Sequence, residues 1–465
     1  MNLNEVYKKH YIAVVGGSIS GSEAASLLAE NGFRVVVFEM NELPYGKIED
    51  GLPNWHINLR NRQINEINKK LNHPNIRYVP CTKIGETFAL TDLVKNWGFS
   101  AVIIANGAWA DRRLPVPKID KFIDKDVIYQ NSLVYWFNHK HQPDYRGKNY
   151  FIKNEAVVVG GGLASLDVVK IIMIELVMKQ LYIKKGIRVD MFTLEKEGIH
   201  AILQRYNLRL SDLEIKKAKL VYRRTAKDMP LKTPKDAKKE SMELAKDVSE
   251  KLLHTYAKKY MFDFIPLSIL VDFIEENDKL KGVVFQKVTI ENGEIIPVDN
   301  SMFVIKTEML VSSIGSLPEK IKGLPYENAL LKMDNEKEYL VYGFNNVFAV
   351  GNAVTGRGNI IASKQHGKEI TKMIIDNHLT DDEFEKWLIA YNTQVKNKVA
   401  EQIQHIIEEI TNYEFMPETI INSIIERTGN IHKKIKYTSY NNWIQKHLPE
   451  RLEDFNKNKV PCKCI

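Results

Sequence analysis

Two short glycine-bearing turns hold the residues whose types and spacing could do chemistry. The first is VVGGSISGSEAA, in which Gly16, Ser18 and Gly21 occupy the three key positions of a G-x-G-x-x-G pattern. Gly16 permits a tight turn, and Gly21 lets the next helix pack closely on the strand. Ser18 stands where backbone would approach a diphosphate. Serine is the smallest replacement that keeps a Cβ, and its hydroxyl can donate to phosphate. Free N–H groups at a helix start favour such an anion. Glu39 follows Gly21 by 18 residues, where a carboxylate can accept hydrogen bonds from an adenosine ribose. A turn that binds nothing could share the glycine spacing; Glu39 in register argues against it. The second turn is VVVGGGLASLDVV, with Gly160 and Gly162 in the first two positions and Ser165 in the third. Here no acid ends the following strand. Leu220-Val221-Tyr222 runs instead into Arg223-Arg224. Two guanidiniums where an acid would meet a ribose 2′-hydroxyl point to a 2′-phosphate, hence NADP(H). Taken alone, the pair could equally be two solvated surface arginines.

The elements that must position these residues are strand, turn and helix. Tyr11 to Val15 is a short apolar run, SEAASLLAE has helical spacing, Asn31-Gly32 is a stop signal, and Arg34 to Phe38 is a second Val-rich run. That is one βαβ unit. The pattern returns with a strand over Ala156 to Val159 and a helix through LDVVKIIMIELVMK. A charged, largely helical insert precedes the strand at Leu220 to Tyr222. From about 267 to 314 the chain turns to β structure, with hairpin signals at Asn277-Asp278 and Asn292-Gly293. Val347 to Val350 is another strand leading to a Gly-rich turn and helix. Beyond about 380 the chain is polar and helical and shows no chemical motif.

Composition narrows the classes. Hydrophobic residues make up 44% and charged residues 27% of 465 residues, ordinary globular values that exclude wholesale disorder. The net charge of +8 is a mild basic excess. Such an excess fits nucleic acid, membrane surface or an acidic protein and does not choose among them. The three cysteines, Cys81, Cys462 and Cys464, exclude a disulfide-stapled secreted fold and a four-cysteine metal or cluster site made by this chain alone. Cys81 has no neighbour in sequence with which to form a redox dithiol. The C-terminal Cys462-Lys463-Cys464-Ile465 fits a prenylation box badly. No long uncharged apolar stretch predicts a transmembrane segment, and the five-residue run YIAVV makes a poor signal peptide. A cytoplasmic location is the expectation.

Together these elements resemble adrenodoxin-reductase-type ferredoxin–NADP reductases and their relative, the small subunit of glutamate synthase. ELPYGKIEDGLPNWH, containing Gly46, looks like the family segment that runs from the flavin ribose strand past the isoalloxazine. AVIIANGAWADRRLPVP, containing Gly107, resembles the exit from the first flavin segment. SLVYWFNH looks like the crossover into the NADP domain, and YRRTAKDMP resembles the NADPH motif. NVFAVGNAVTGRGNIIASKQHGKEI resembles the return segment whose helix start faces the flavin. The resemblance covers about residues 10 to 375. It implies an α/β chain with two Rossmann-like dinucleotide-binding domains, one for FAD and one for NADP, and a helical C-terminal extension. The implied boundaries are 1–140 plus 325–380 for FAD, 150–325 for NADP, and 381–465 for the extension. It also implies flavin contacts from Gly351, Asn352, Gly358, Asn359 and Ile360. Asn352 departs from the family, where an acid is usual. His56 falls where the family has a histidine near the flavin, and Asp167 matches a helix aspartate near the nicotinamide. The pair is implied to handle protons, work that suits an imidazole.

The activity implied is transfer of electrons from NADPH through FAD to an acidic, ferredoxin-like protein, with no nucleic-acid partner. The rivals are a glutamate-synthase-like electron-delivery subunit, a flavin monooxygenase suggested by GGSISG, and a non-enzymatic nucleotide-binding protein. The first rival is weakened by the lack of cluster-binding cysteines before the first strand, and the second by the arginine pair.

Overall fold

The computed structural model describes residues 9–232, 234, 238–335, 337, 339–355 and 381–457. Five parallel strands form the first sheet, in the order Val347–Ala349, Ala101–Ile104, Tyr11–Val15, Arg34–Phe38 and Ile76–Val79. Their continuous apolar runs follow from burial on both faces; every residue of Tyr11–Val15 is buried. On leaving Tyr11–Val15 the chain goes first to one side of it and later to the other. That reversal opens a crevice at the carboxyl ends of the strands.

A second parallel sheet is ordered Val127–Tyr129, Leu310–Ser313, Val157–Gly160, Lys219–Val221 and Asp263–Ile265. Sequence reading leaves residues 127–129 with the first unit, but Val127 pairs with Leu310 and so belongs to the second sheet. The crossover therefore comes earlier. Ala110–Asp111 pairs antiparallel with Ser316–Leu317, and this two-stranded ribbon carries the chain out to the second sheet and back. The helix Leu163–Lys185 is buried over most of its length. Each large aliphatic side chain buried there contributes about 1.5–3 kcal/mol.

Three antiparallel strands, Ser268–Glu276, Lys279–Glu291 and Glu294–Lys306, follow as a meander. Both expected hairpin turns form. Asn277 and Asp278, then Asn292 and Gly293, have positive φ at both central positions, the twist that suits a two-residue hairpin.

The C-terminal region is helical over Asp381–Thr411, Glu418–Ile435, Tyr440–His447 and Leu452–Lys457. Ile403, Ile406 and Ile410 share a core with Leu28 and Ile67 of the first unit, and the Trp443 indole donates to the Glu42 carbonyl at 2.8 Å. The last segment also grips the first unit through Arg451 with Glu49 and Arg60 with Glu453. Among the described residues no helix is long and apolar enough to cross a membrane.

Candidate functional site: a cavity between two glycine turns

Both glycine turns line one cavity of about 1400 Å³. At the first, the strand Tyr11–Val15 ends at Gly16 and the helix Ile19–Glu30 begins three residues later. A Cβ on Gly21 would lie 1.8 Å from the Gly16 carbonyl oxygen, so no other residue fits without moving backbone. Gly21→Ala should cost about 1–3 kcal/mol through overpacking, read as a fall in the urea midpoint.

Glu39 is buried and turned into this loop. Its Oε2 accepts from the Gly17 N–H at 2.8 Å and its Oε1 from the Asn41 N–H at 3.0 Å. Burial pushes its carboxyl up to about 7, against the pull of the Asn41, Gly17 and Met40 N–H groups. Gly17 is a contact that sequence reading misses. Ser18 differs from expectation too: its hydroxyl donates to the Tyr45 carbonyl at 3.1 Å, so its one hydrogen is committed inside the chain. The bond ties the turn to Gly46, whose left-handed φ of 52° and closeness to Ser18 Oγ (2.9 Å from an added Cβ) both call for glycine.

Next to Gly46, Lys47 Nζ donates to Ser316 Oγ of the ribbon at 2.9 Å. The Asn131 amide donates to the Trp109 carbonyl at 2.8 Å and to Ser316 Oγ at 3.3 Å. Burial pushes the Lys47 ammonium down to about 8 and the nearby Asp111 carboxyl up to about 6. Gly107 lines the cavity with open space around it. Its neighbour Asn106 keeps a buried Oδ1 without a protein partner. Gly351 packs against Ser20, and Asn352 lines the cavity as the first residue of a short helix. Asn392, from the helical C-terminal region, lines it too; sequence reading offers no signal for that residue. Gly358, Asn359 and Ile360 lie outside the described residues, as do Cys462 and Cys464.

At the second turn, Gly160 fits against the Ser313 carbonyl, 2.3 Å from an added Cβ, whereas Gly162 faces open space. Ser165 is fully buried and donates to the Ser313 carbonyl at 3.2 Å. It thereby fastens the helix to the neighbouring strand, replacing the close packing a glycine would give. The two arginines part company. Arg223 lines the cavity, while Arg224 donates to the Gly293 carbonyl at the hairpin tip, 2.8 Å away. Lys227 and Lys232, which sequence reading overlooks, line the cavity beside Arg223.

His56 and Asp167 come together, with Nε2 and Oδ2 3.6 Å apart. Both are buried, and neither is among the residues lining the cavity. The Trp55 indole, which can only donate, gives its N–H to His56 Nε2 at 2.9 Å. The ring proton then belongs on Nδ1. Behind the pair stands Lys170, 2% exposed, with Nζ 2.8 Å from Glu195 Oε1 and 3.7 Å from Asp167 Oδ1. It lies over the rings of Trp55 and Tyr260. A lysine three residues after Asp167 in an otherwise apolar run was the available sign of this cluster.

A strand–glycine turn–helix unit followed by a buried acid is what a dinucleotide site requires, and family comparison agrees. Residues 10–189 match the family of pyridine nucleotide-disulphide oxidoreductases. Resemblance to this oxidoreductase family extends to individual proteins. A probable NADPH:adrenodoxin oxidoreductase of Schizosaccharomyces pombe is 25% identical over 35% of this chain and 34% of its own length. A probable ferredoxin/ferredoxin–NADP reductase of Mycobacterium bovis is 31% identical over 35% of this chain and 27% of its own. The beta subunit of an NADPH-Fe(3+) oxidoreductase from Geobacter sulfurreducens is 23% identical over 67% of this chain and 38% of its own. The chain thus spans between about a quarter and two fifths of the curated relatives it matches. In fold it resembles Mycobacterium tuberculosis FprA in complex with NADPH, with a TM-score of 0.65, 18% identity and 91% of each chain covered.

Proposed function

We propose that this chain is an FAD-dependent NADPH oxidoreductase that passes electrons to a ferredoxin-type protein. The observation that carries the reading is one cavity walled by both glycine turns, which lets two dinucleotides meet end to end. When bound, FAD would supply the exchange between a two-electron hydride donor and a one-electron acceptor. The rest falls to the chain. Gly16 and Gly17 shape the turn, their own N–H groups held by the Phe38 carbonyl and Glu39, and the start of the helix Ile19–Glu30 offers backbone N–H groups to a diphosphate. Glu39 offers carboxylate oxygens to a ribose. Gly162 leaves backbone open to the second diphosphate, and Arg223 offers a guanidinium to a 2′-phosphate. Asn106 Oδ1, buried and unpartnered within the chain, is an acceptor suited to a donor on a bound group. His56, with its ring proton on Nδ1, stands beside Asp167 outside the cavity wall. A cytoplasmic site and an acidic acceptor surface complete the reading, the latter consistent with the net charge of +8.

The visible spectrum of the purified protein tests this directly. Flavin bands that bleach on adding NADPH are expected; a colourless protein that takes up no FAD would sink the reading. The arginines give a sharper expectation. Because Arg224 is engaged by the hairpin, Arg223 alone should recognise the phosphate. Arg223→Ala should raise the NADPH Michaelis constant about 10- to 100-fold, the effect of one charge-assisted contact, and leave NADH use unchanged. Arg224→Ala should change either constant by less than about threefold, as expected for a surface contact. Steady-state kinetics with ferricyanide as acceptor would measure both.

A further inference from the structure

Lys47 differs from three other lysines that line the cavity. Lys83 is paired with Glu86 and Glu319, Lys227 with Asp247, and Lys246 with Glu243. Lys47 has no carboxylate within ion-pair distance among the described residues. Its nitrogen is held by the Ser316 hydroxyl, on the ribbon that joins the two sheets. Burial has already weakened its charge. Asp111 is near enough to favour that charge but not to pair with it; a desolvated ammonium so weakly compensated costs free energy, and an anionic group entering the cavity would recover part of it.

Two kinds of negative charge could enter here, a diphosphate and an electron-rich ring. The diphosphate has its own cradle at the helix start that follows Gly16 and Gly17. Lys47 reaches instead from Gly46 to the connecting ribbon. The ribbon lies between the two units, where the reacting ends of two dinucleotides have to meet. We propose that Lys47 supplies the positive charge that stabilises bound flavin in its reduced form. This rests on the FAD reading above. A hydride brings two electrons and one proton to a neutral ring, so the product carries one net negative charge. The ammonium offsets that charge by proximity, with no proton changing place.

The test is the two-electron midpoint potential of the FAD-loaded protein at pH 7, together with the dissociation constant of oxidised FAD, in wild type, Lys47→Met and Lys47→Arg. Lys47→Met should weaken binding of reduced relative to oxidised flavin about 10- to 100-fold, a fall of about 30–60 mV for a two-electron couple. Oxidised FAD should bind within about threefold of wild type, and Lys47→Arg should stay near the wild-type potential. If Lys47→Met does not fold, Lys47→Gln makes the same charge change. An unaltered potential overturns the proposal. So does an equal loss of affinity for both redox forms, which would make Lys47 a diphosphate ligand. A wild-type protein that binds no FAD at all would overturn the functional reading itself and this proposal with it.

Discussion

Replacing Lys170 with Met should destabilise the protein by about 3–5 kcal/mol, the range seen when one partner of a buried ion pair is removed. Lys170 is among the most deeply buried side chains, 2% exposed, and its Nζ lies 2.8 Å from Glu195 Oε1. Burial opposes its charge, but the oxygens of Tyr260, Glu195 and Tyr256 and the Asp167 carboxylate hold the ammonium well above the usual lysine range. Burial likewise opposes ionisation of Glu195, and Lys170 outweighs it, so that carboxyl sits below the usual range. Deleting the lysine leaves Glu195 and Asp167 buried beside a methionine. Urea denaturation should show the loss as a shifted midpoint with an unchanged slope. The double variant Lys170→Met/Glu195→Leu should be more stable than the sum of the two single changes, because it removes both charges. The depressed Glu195 carboxyl fixes the pH window. Its contribution is present above the ordinary glutamate value and is lost as pH falls through the lower folded one. The gap between wild type and Lys170→Met should therefore close in acid. A gap independent of pH would show that packing, not charge, sets the effect.

Glu39→Ala should strip the protein of FAD. The carboxylate accepts two backbone N–H bonds that organise the first turn and, on the reading above, ribose hydroxyls as well. Hydrogen bonds to a charged group are worth about 1.5–3 kcal/mol each, so losing two would weaken FAD about 10²- to 10⁴-fold before non-additivity. Gel filtration at low concentration should separate flavin from the variant. Glu39→Gln keeps an acceptor for Gly17 and should lose less. The pH dependence has a definite sign. With the folded carboxyl raised to about 7 by burial, its contribution to the stability of the FAD-free protein is present below about 4.5 and lost as pH rises through 7. Ribose donors favour the ionised form, so FAD affinity should rise with pH through the same interval. Fluorescence titrations in which Glu39→Gln shows the same rise would remove Glu39 from the ribose site.

The parts legible in the sequence are those set by local chemistry. Tyr11–Val15 and Arg34–Phe38 have their expected ends, because each is a Val-rich apolar run too short for a helix and is bounded by turn residues. The hairpins at 277–278 and 292–293 form because Asn, Asp and Gly tolerate positive φ. What escaped was tertiary. The edge strand Val127–Tyr129 is three residues long, and only its pairing with Leu310–Ser313 reveals its sheet. The long helix Lys239–Tyr260 is so charged that its buried stripe of Val248, Leu253, Tyr256 and Tyr260 carries no obvious message. Arg223 and Arg224 look equivalent in a string, yet successive side chains leave a backbone in different directions, and only one reaches the cavity. Lys170 reads as a surface lysine until Glu195, Trp55 and Tyr260 arrive from three other segments.

The ribbon of Ala110–Asp111 and Ser316–Leu317 has a mechanical meaning. Two covalent linkers that cross side by side act as a torsion axis, and two bodies joined only in this way could swivel freely. Here the axis is braked. Trp55 and His56 come from the first body, and Lys170 and Asp167 from the second; a swivel would tear the Trp55 ring from Lys170 and bring water to a charge pair built to be dry. Arg451 grips Glu49 while its neighbour Leu452 packs into the core of the second body, a latch across the same joint. The two glycine turns, one on each body, are therefore held in a fixed alignment by contacts that a swivel would have to break.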